Sequence, residues 1–490
     1  YLIHPRGFTC HSSSGVQHRG TYAGITEKLP YLKELGITAV ELMPSYEFLE
    51  LEKQERRERS MDEARNHYMD LPEEKDEPPR INYWGYKRGY YFAPKMSYSA
   101  SDCPAEEFKD MVKNAHQNGI EVIMQFYFPA DVKRAYILEV IKYWVFTFHV
   151  DGFHLLGMHM PTALLATEPM LGNTKLFYED IPCGEIYDNN DIPVYKNLAV
   201  YNDDFMYAAR HFLKSDEGSL QPMLDLWKKN PKQTGVINYI TNYSGFTLAD
   251  LVSFDRKHNE ANGEENRDGE TYNVSWNCGA EGKTRKKSIL ELRLKQMKNA
   301  MLLLLTAQGT PMIVSGDEFG FSHGGNNNPY CQDNAVSWLN WKLMETNREF
   351  FSFVKEAVAF RKKHPVLHRP DELTMMDYIA CGYPDLSLHG EEAWKLNADG
   401  LSRQAGLMYC GCYAKVDKKN NDNFIYIAYN MHWEAHKLAL PKLPKTLRWK
   451  RILSTEEEAG GKALKEMEAD NGQVIESRSI AVYQTESSSK

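Results

Sequence analysis

The feature that most constrains the fold is a long alternation of helical and strand patterns. Segments with helical spacing are separated by short apolar runs that end at glycine or proline, such as the run that stops at Pro44. Helices are predicted over 22–35, 104–117 and 134–148, and strands over 37–43, 119–127, 150–156, 235–241 and 310–316. This alternation predicts an α/β fold with a parallel sheet, and we expect a (β/α)8 TIM barrel over residues 1–370.

The pattern changes after Pro370. Short alternating runs at 406–413, 423–429 and 479–484 are separated by turn-rich pieces. They predict a C-terminal antiparallel β-sandwich over residues 380–490. A densely charged stretch near 49–80 interrupts the barrel pattern, and we expect it to be a solvated insertion.

Charge and cysteine usage exclude several functional classes. The chain has 58 Lys and Arg against 67 Asp and Glu, and the resulting net charge of −9 argues against nucleic acid or an anionic membrane as partner. No apolar run approaches the roughly 20 residues of a membrane span. The eight cysteines are scattered without a Cys-x-x-Cys pair, and only Cys410 and Cys412 lie close together. We therefore expect reduced thiols, a cytoplasmic location and no metal site.

Longer motifs stand where barrel strands are expected to end. They are Tyr1 to Gly24, Asn82-Tyr83-Trp84-Gly85-Tyr86, and the segments 257–269, 275–279, 316–320 and 325–333. Together they resemble isoamylase-type glycogen debranching proteins of the alpha-amylase superfamily (glycoside hydrolase family 13) over residues 1 to about 370. The resemblance implies a barrel that acts on branched α-glucan. Such proteins usually carry a β-sandwich glucan-binding module before the barrel, and we expect this chain, which starts at Tyr1, to lack it.

The resemblance also implies where the catalytic residues should be. Retaining hydrolysis of α-1,6 branch points needs a nucleophilic carboxylate and a protonated acid roughly 5 to 5.5 Å apart. The fourth strand should carry Arg and then the nucleophile, but these positions hold His154 and Leu156. A nearby Asp151 has the opposite strand parity, so we expect it to face away from the cleft. The His-Asp pair of the seventh strand, which supplies a third carboxylate, is replaced by Tyr243 and Ser244.

One catalytic position is predicted to survive. Glu185 matches the general acid/base of the family. The third-strand positions are Gln125, Pro129 and Ala130, so the calcium ligand of calcium-binding relatives is absent, and we expect neither calcium nor a cofactor. The motifs assign substrate binding to Tyr83, Trp84, Tyr86, His154, Tyr243 and His258. The adjacent acids Asp317 and Glu318 match a structural motif at the barrel rim.

Three functional hypotheses follow from these substitutions. In the first, the chain is a debranching-enzyme-like protein without catalysis, which binds branched α-glucan such as glycogen or starch or scaffolds an active debranching partner. In the second, it is an active α-1,6-glucan hydrolase whose carboxylates come from other positions. In the third, the barrel binds another ligand or protein. Hydrolysis of a branched glucan separates the second hypothesis from the others, and glucan affinity separates the first from the third.

Overall fold

The computed structural model describes residues 1–51, 80–187, 191–456 and 472–487, and it confirms the predicted barrel. Eight parallel strands form one sheet in the order β1-β2-β5-β6-β7-β8-β9-β10. They are β1 (Leu2–Ile3), β2 (Ala39–Leu42), β5 (Glu121–Tyr127), β6 (Gly152–Leu156), β7 (Lys175–Tyr178), β8 (Leu198–Asn202), β9 (Gly235–Asn238) and β10 (Thr310–Pro311). A small antiparallel pair outside the barrel consists of β3 (Tyr46–Glu47) and β4 (Tyr90–Pro94). Most of the predicted charged insertion, residues 52–79, lies outside the described residues.

The sheet closes on itself through backbone hydrogen bonds between β1 and the residues that follow β10. The Leu2 amide donates to the Ile313 carbonyl at 2.9 Å, and the Ser315 amide donates to the Leu2 carbonyl at 2.9 Å. A parallel bridge between Leu2 and Val314 continues the ladder. All eight strands therefore point their carboxyl ends to one face, where barrels of this kind place their functional sites.

The three helices predicted over 22–35, 104–117 and 134–148 have the same bounds in the structure. The first long helix has the Thr21 side chain as its N-cap acceptor for the Gly24 amide, and Gly36 ends it with φ of 93°. The helices of the described residues are α1 (Gly7–Cys10), α2 (Tyr22–Leu35), α3 (Pro104–Gln117), α4 (Arg134–Phe148), α5 (Thr162–Ala166), α6 (Cys183–Ile186), α7 (Asp203–Lys214), α8 (Leu220–Trp227), α9 (Leu248–Leu251), α10 (Lys287–Thr306), α11 (Leu343–Thr346) and α12 (Arg348–Lys363). None of them combines the length and apolarity that a bilayer span requires.

The C-terminal part is the predicted antiparallel β-sandwich. A five-stranded sheet has the order β11-β12-β13-β17-β15, and β14 pairs with β16. The strands are β11 (Leu386–His389), β12 (Gln404–Tyr409), β13 (Ile425–Asn430), β14 (His436–Leu438), β15 (Leu447–Ser454), β16 (Gln473–Ile475) and β17 (Ser479–Ser487). The sandwich packs on α10, where the Thr306 carbonyl accepts from the Tyr409 hydroxyl at 3.0 Å.

Candidate functional site at the carboxyl ends of the barrel strands

A buried carboxylate lies at the centre of the barrel. Glu41 of β2 is 5% exposed. Its Oε1 accepts from Gln125 Nε2 of β5 at 2.6 Å and from His154 Nδ1 of β6 at 2.7 Å. Its Oε2 accepts from the Tyr201 hydroxyl of β8, whose ring stacks on His154 with centroids 4.0 Å apart. Side chains from three other strands therefore satisfy both oxygens of one acid.

The electrostatics show that Glu41 is held as a carboxylate. Burial raises its pKa, but the charge and hydrogen bond of His154 and the hydrogen bonds from Tyr201 and Gln125 outweigh this, so the pKa lies below its ordinary value. Burial, followed by the charge of Glu41, raises the pKa of Tyr201 well above its ordinary range, so the phenol stays protonated and donates a hydrogen bond to Glu41. Because three donors already occupy the carboxylate, Glu41 is arranged to hold the barrel together rather than to attack a substrate.

Aromatic rings cover this network on its outer side. The Tyr86 hydroxyl donates to Gln125 Oε1, which joins the rings to the buried network. Tyr86 and Tyr243 have ring centroids 4.7 Å apart, and Trp84 meets Tyr243 edge-on at 5.4 Å. Burial, followed by the nearby charge of Glu41, raises the pKa of Tyr243 to about 12. These three half-buried rings form an uncharged aromatic cluster, which we call the Trp84–Tyr86–Tyr243 cluster.

The structure separates Tyr83 from that cluster and differs from the prediction there. Tyr83 is only 4% exposed, and its ring stacks on His4 with centroids 3.8 Å apart. The following Gly85 has φ of 81°, a left-handed conformation that favours glycine, and a Cβ there would meet Phe48 at 2.4 Å. The turn at Gly85 thus places Trp84 and Tyr86 at the cleft and leaves Tyr83 in the core.

The nucleophile position is apolar. Leu156 is the last residue of β6, and its carbonyl accepts from the Phe128 amide at 2.9 Å. Asp151 precedes the same strand at its opposite end, where Oδ2 accepts from the Val122 amide at 2.7 Å and contacts His116 Nε2 at 2.8 Å. Asp151 therefore lies away from the carboxyl-end cleft, as its strand parity predicts.

The structure places Glu185 differently from its predicted role. It is exposed on the helical turn α6, several residues after β7 has ended at Tyr178. The first acidic residue beyond β7 is Glu179, whose charge contributes to the raised pKa of Tyr243 after burial and Glu41. Asp203, the first residue after β8, acts on Tyr243 in the same way and accepts from the Tyr239 hydroxyl. Neither Glu179 nor Asp203 is among the site residues predicted from the sequence.

The remaining predicted residues lie on the surrounding loops. Ser244 is exposed beside Tyr243. His258 is half exposed, and its Nε2 lies 3.3 Å from Glu281 Oε1, so an acid on a neighbouring loop engages it. Glu318 accepts from the Tyr1 and Tyr31 hydroxyls at 2.5 Å each, which fits the expected structural motif. Pro129 and Ala130 contribute no side-chain oxygen to the end of β5.

Asp317, the neighbour of Glu318, is fully buried, and burial raises its pKa to about 7. Its Oδ2 accepts from the Thr241 hydroxyl and its Oδ1 from the Leu248 amide at 2.8 Å. The side chain therefore ties the end of β9 to α9 and to the loop after β10. This is a structural arrangement with an acid that titrates near neutral pH.

Comparisons with known proteins agree with this geometry. The family model described as alpha amylase, catalytic domain, matches residues 2–130. The chain is 32% identical to the chloroplastic isoamylase 1 of Arabidopsis thaliana over 93% of its own length and 66% of that protein. It is 34% identical to the glycogen operon protein GlgX homolog of Haemophilus influenzae over 74% of its own length and 63% of that protein.

Solved structures show the same fold. The pullulanase of Paenibacillus barengoltzii in complex with maltohexaose and alpha-cyclodextrin superposes with a TM-score of 0.67 and 21% identity, covering 99% of this chain and 76% of that one.

The chain also covers 63% of the chloroplastic isoamylase 1 of Oryza sativa subsp. japonica, to which it is 30% identical. It thus spans somewhat less than two thirds of the length of the curated relatives that it matches.

Proposed function

We propose that this chain is an isoamylase-type member of the alpha-amylase family that lacks catalysis and binds branched α-glucan at the carboxyl ends of its barrel strands. The observation that carries the proposal is Leu156 at the end of β6. A retaining glycosidase needs a carboxylate there to capture the oxocarbenium-like centre, and a leucine side chain supplies no nucleophile. The loss of a catalytic nucleophile costs on the order of 10⁴- to 10⁶-fold in rate.

The other family positions support the same conclusion. The resemblance implies that an arginine and a His-Asp pair grip the sugar in the transition state. Here His154 is buried and bound to Glu41, while Tyr243 packs on Tyr86 and Ser244 carries no charge. These three positions therefore do not supply the charged groups that bind the transition state more tightly than the ground state in the family.

The Trp84–Tyr86–Tyr243 cluster supports binding of a neutral glucan. Aromatic rings stack on the apolar faces of sugars, and hydroxyl groups at their edges supply hydrogen bonds. Among the motif residues we propose Trp84, Tyr86 and Tyr243 as direct contacts and His258 as a contact from the rim. A pullulanase of the same fold has been solved with maltohexaose and alpha-cyclodextrin, which is the chemistry we expect this face to bind.

A second candidate function rests on Glu179 and Asp203. Both follow directly after neighbouring barrel strands, and the charges of both act on Tyr243. In this alternative, Glu179 donates the proton to the glycosidic oxygen and Asp203 replaces the missing nucleophile. The exposed Asp203 is already an acceptor for the Tyr239 hydroxyl, and for this reason we favour the protein without catalysis.

Two measurements on the purified chain separate these functions. Release of reducing ends from glycogen and pullulan should not exceed background. Turnover that Glu179→Gln and Asp203→Asn each abolish would refute our proposal in favour of the active hydrolase. Glu185→Gln is the matched control, because that exposed acid lies on α6 outside the aromatic cluster.

Affinity for glucan tests the binding part of the proposal. Titration with a branched maltooligosaccharide should give saturable binding that Trp84→Ala weakens about fivefold or more, since one stacked ring contributes on the order of 1 kcal/mol or more. Trp433→Ala in the sandwich is the control, because its ring is 55% exposed and lies in the other part of the chain. An unaffected Trp84→Ala variant, or no binding at all, would favour a barrel that serves another ligand or protein.

Partners and location remain part of this proposal. An active debranching enzyme of the same family is the partner we propose for the scaffold role. We retain the cytoplasm as the proposed location, although relatives from plants carry the description chloroplastic.

A further inference from the structure

Three cysteines from two separate segments converge at one edge of the sandwich. Cys410 and Cys412 follow β12 on a short helical turn, and Cys381 lies in the loop before β11. One sulfur from each residue lies within 4.8 Å of the other two. We propose that Cys381, Cys410 and Cys412 form a binding site for a thiophilic divalent cation, with Zn²⁺ as the expected ion.

The strand register explains why these residues meet. The antiparallel pairing of β11 with β12 places Leu386 opposite Tyr409. The next residues outward are also bonded, since the Cys410 amide donates to the Asp385 carbonyl at 3.1 Å. The loop that carries Cys381 is therefore fixed beside the turn that carries Cys410 and Cys412, and the three thiols are brought together by the fold rather than by chance contact of mobile loops.

The sulfur spacing fits a zinc ion. Two thiolates bound to one tetrahedral Zn²⁺ at about 2.3 Å each lie about 3.8 Å apart. Cys381 Sγ and Cys410 Sγ are 3.8 Å apart. A disulfide requires about 2.05 Å between sulfurs, so the observed spacing corresponds to neighbouring ligands of an ion and not to a bond.

The surroundings hold the cluster in place. Asp377 accepts from the Cys381 amide at 3.0 Å, from the Gly382 amide at 2.8 Å and from the Tyr413 hydroxyl at 2.7 Å. Because these donors occupy Asp377, it orients the Cys381 loop and leaves the fourth ligand position of the ion to solvent. Cys410 is fully buried, whereas Cys381 and Cys412 are half buried, so an ion has a route of entry on the side of the latter two.

Binding would convert three thiols to thiolates and release their protons to solvent. The ion would join the loop before β11 to the turn after β12 and so brace the edge of the sandwich. This role is structural and independent of the proposed glucan function. The sequence predicts no metal site, because Cys381 is distant along the chain from Cys410 and Cys412 and the three do not have the spacing of zinc ligands.

The test uses the full chain, reduced, stripped of metal with a chelator and then dialysed against Zn²⁺. We expect one tightly retained Zn²⁺ per chain by elemental analysis. Substitution with Co²⁺ should give the near-ultraviolet thiolate-to-metal absorption that oxygen and nitrogen ligands do not produce. Cys412→Ser and Cys381→Ser should each weaken Zn²⁺ binding by more than about 100-fold, beyond what loss of an outer partner costs.

Two control variants make the test specific. Cys103→Ser, at an exposed cysteine on the barrel, should retain the ion with unchanged affinity. His436→Gln removes one member of a second group of potential ligands, His432, Glu434 and His436, and should also retain it. Far-ultraviolet circular dichroism of the metal-free variants confirms that they are folded.

Three outcomes would overturn the inference. The first is a reduced chain that retains no Zn²⁺. The second is retention that His436→Gln abolishes and the cysteine variants leave intact. The third is a Cys381–Cys410 disulfide found by mass spectrometry together with no metal uptake after its reduction.

Discussion

The buried pair of Glu41 and His154 should be far more important for stability than a surface pair of the same geometry. Their Oε1–Nδ1 distance is 2.7 Å, and their side chains are 6% and 4% exposed. His116 and Asp151 form a pair of almost equal length, 2.8 Å, with side chains 37% and 27% exposed. The two pairs differ mainly in burial, so they form a matched comparison within one molecule.

We expect His154→Leu to lower the free energy of unfolding by about 3–5 kcal/mol, because it removes one of three donors and leaves an ionised acid in the barrel centre. His116→Leu should cost no more than about 1 kcal/mol, as exposed ion pairs usually do. Equilibrium unfolding in urea at pH 7, followed by circular dichroism and tryptophan fluorescence, measures both. Surrounding interactions hold the pKa of Glu41 below its ordinary value, so their stabilisation is fully present at pH 7 and is lost as the pH falls through that lowered pKa.

A double-mutant cycle checks the cause. In a Glu41→Gln background no charge is left stranded, so His154→Leu should cost less there than in the native chain, by about 0.5–3 kcal/mol. Additive effects within about 0.5 kcal/mol, or a native-background cost no greater than that of His116→Leu, would refute the argument that this network holds the barrel together.

Three further predictions concern other parts of the barrel. Burial raises the pKa of Asp317 to about 7, so the stability it contributes in protonated form is lost as the pH rises from about 4 to 7. Asp317→Asn should therefore reduce the drop in urea midpoint between pH 5 and pH 8. Asp250, whose pKa burial raises to about 6, and Glu318, whose pKa burial also raises, contribute to the drop that remains. An unchanged drop would contradict this. Gly85→Ala should lower the free energy of unfolding by about 1–3 kcal/mol and weaken glucan binding, because the new Cβ meets Phe48 and displaces Trp84 and Tyr86. A variant with the affinity and melting temperature of the native chain would contradict this. The third variant carries all four family residues, namely His154→Arg, Leu156→Asp, Tyr243→His and Ser244→Asp. It should release reducing ends from pullulan slowly, and adding Glu179→Gln should abolish this release. Activity that survives Glu179→Gln would show that Glu179 is not the acid.

The order of elements could be predicted from sequence because each signal is local. Gly36 and Pro44 mark the ends of a helix and a strand, and the structure places α2 and β2 accordingly. The strand parity of Asp151 likewise depended only on its own strand. Local periodicity and turn residues thus determine where elements begin, while the closure between Leu2 and Val314 follows from the barrel as a whole.

The site was less predictable because its residues are related through space. The prediction for Glu185 comes from a local motif, whereas the first acid beyond β7 is Glu179, and its place depends on where the strand ends. Glu41 is a charged residue inside the apolar run Ala39-Val40-Glu41-Leu42, which is a local indication of a buried acid. Its hydrogen-bond donors lie on three other strands and are not visible in that run. Cys381 gave no signal at all, since only the β11–β12 register brings it to Cys410.

The polar groups at the barrel centre form one electrostatic set, and for this reason we expect no single change to a family residue to give catalysis. With leucine at position 156 the cleft needs no cation to balance a nucleophile, and the neutral donors Gln125 and Tyr201 together with His154 are sufficient to hold Glu41 ionised. An aspartate introduced alone at 156 would share the strand parity of His154, which is already engaged by Glu41, and would add a second carboxylate on that side of β6. Like charges raise the pKa of a carboxyl group, so that aspartate would tend to hold a proton and lose nucleophilicity. A nucleophile at 156 therefore requires a cation at 154, so we expect Leu156→Asp to release reducing ends from pullulan only in combination with His154→Arg.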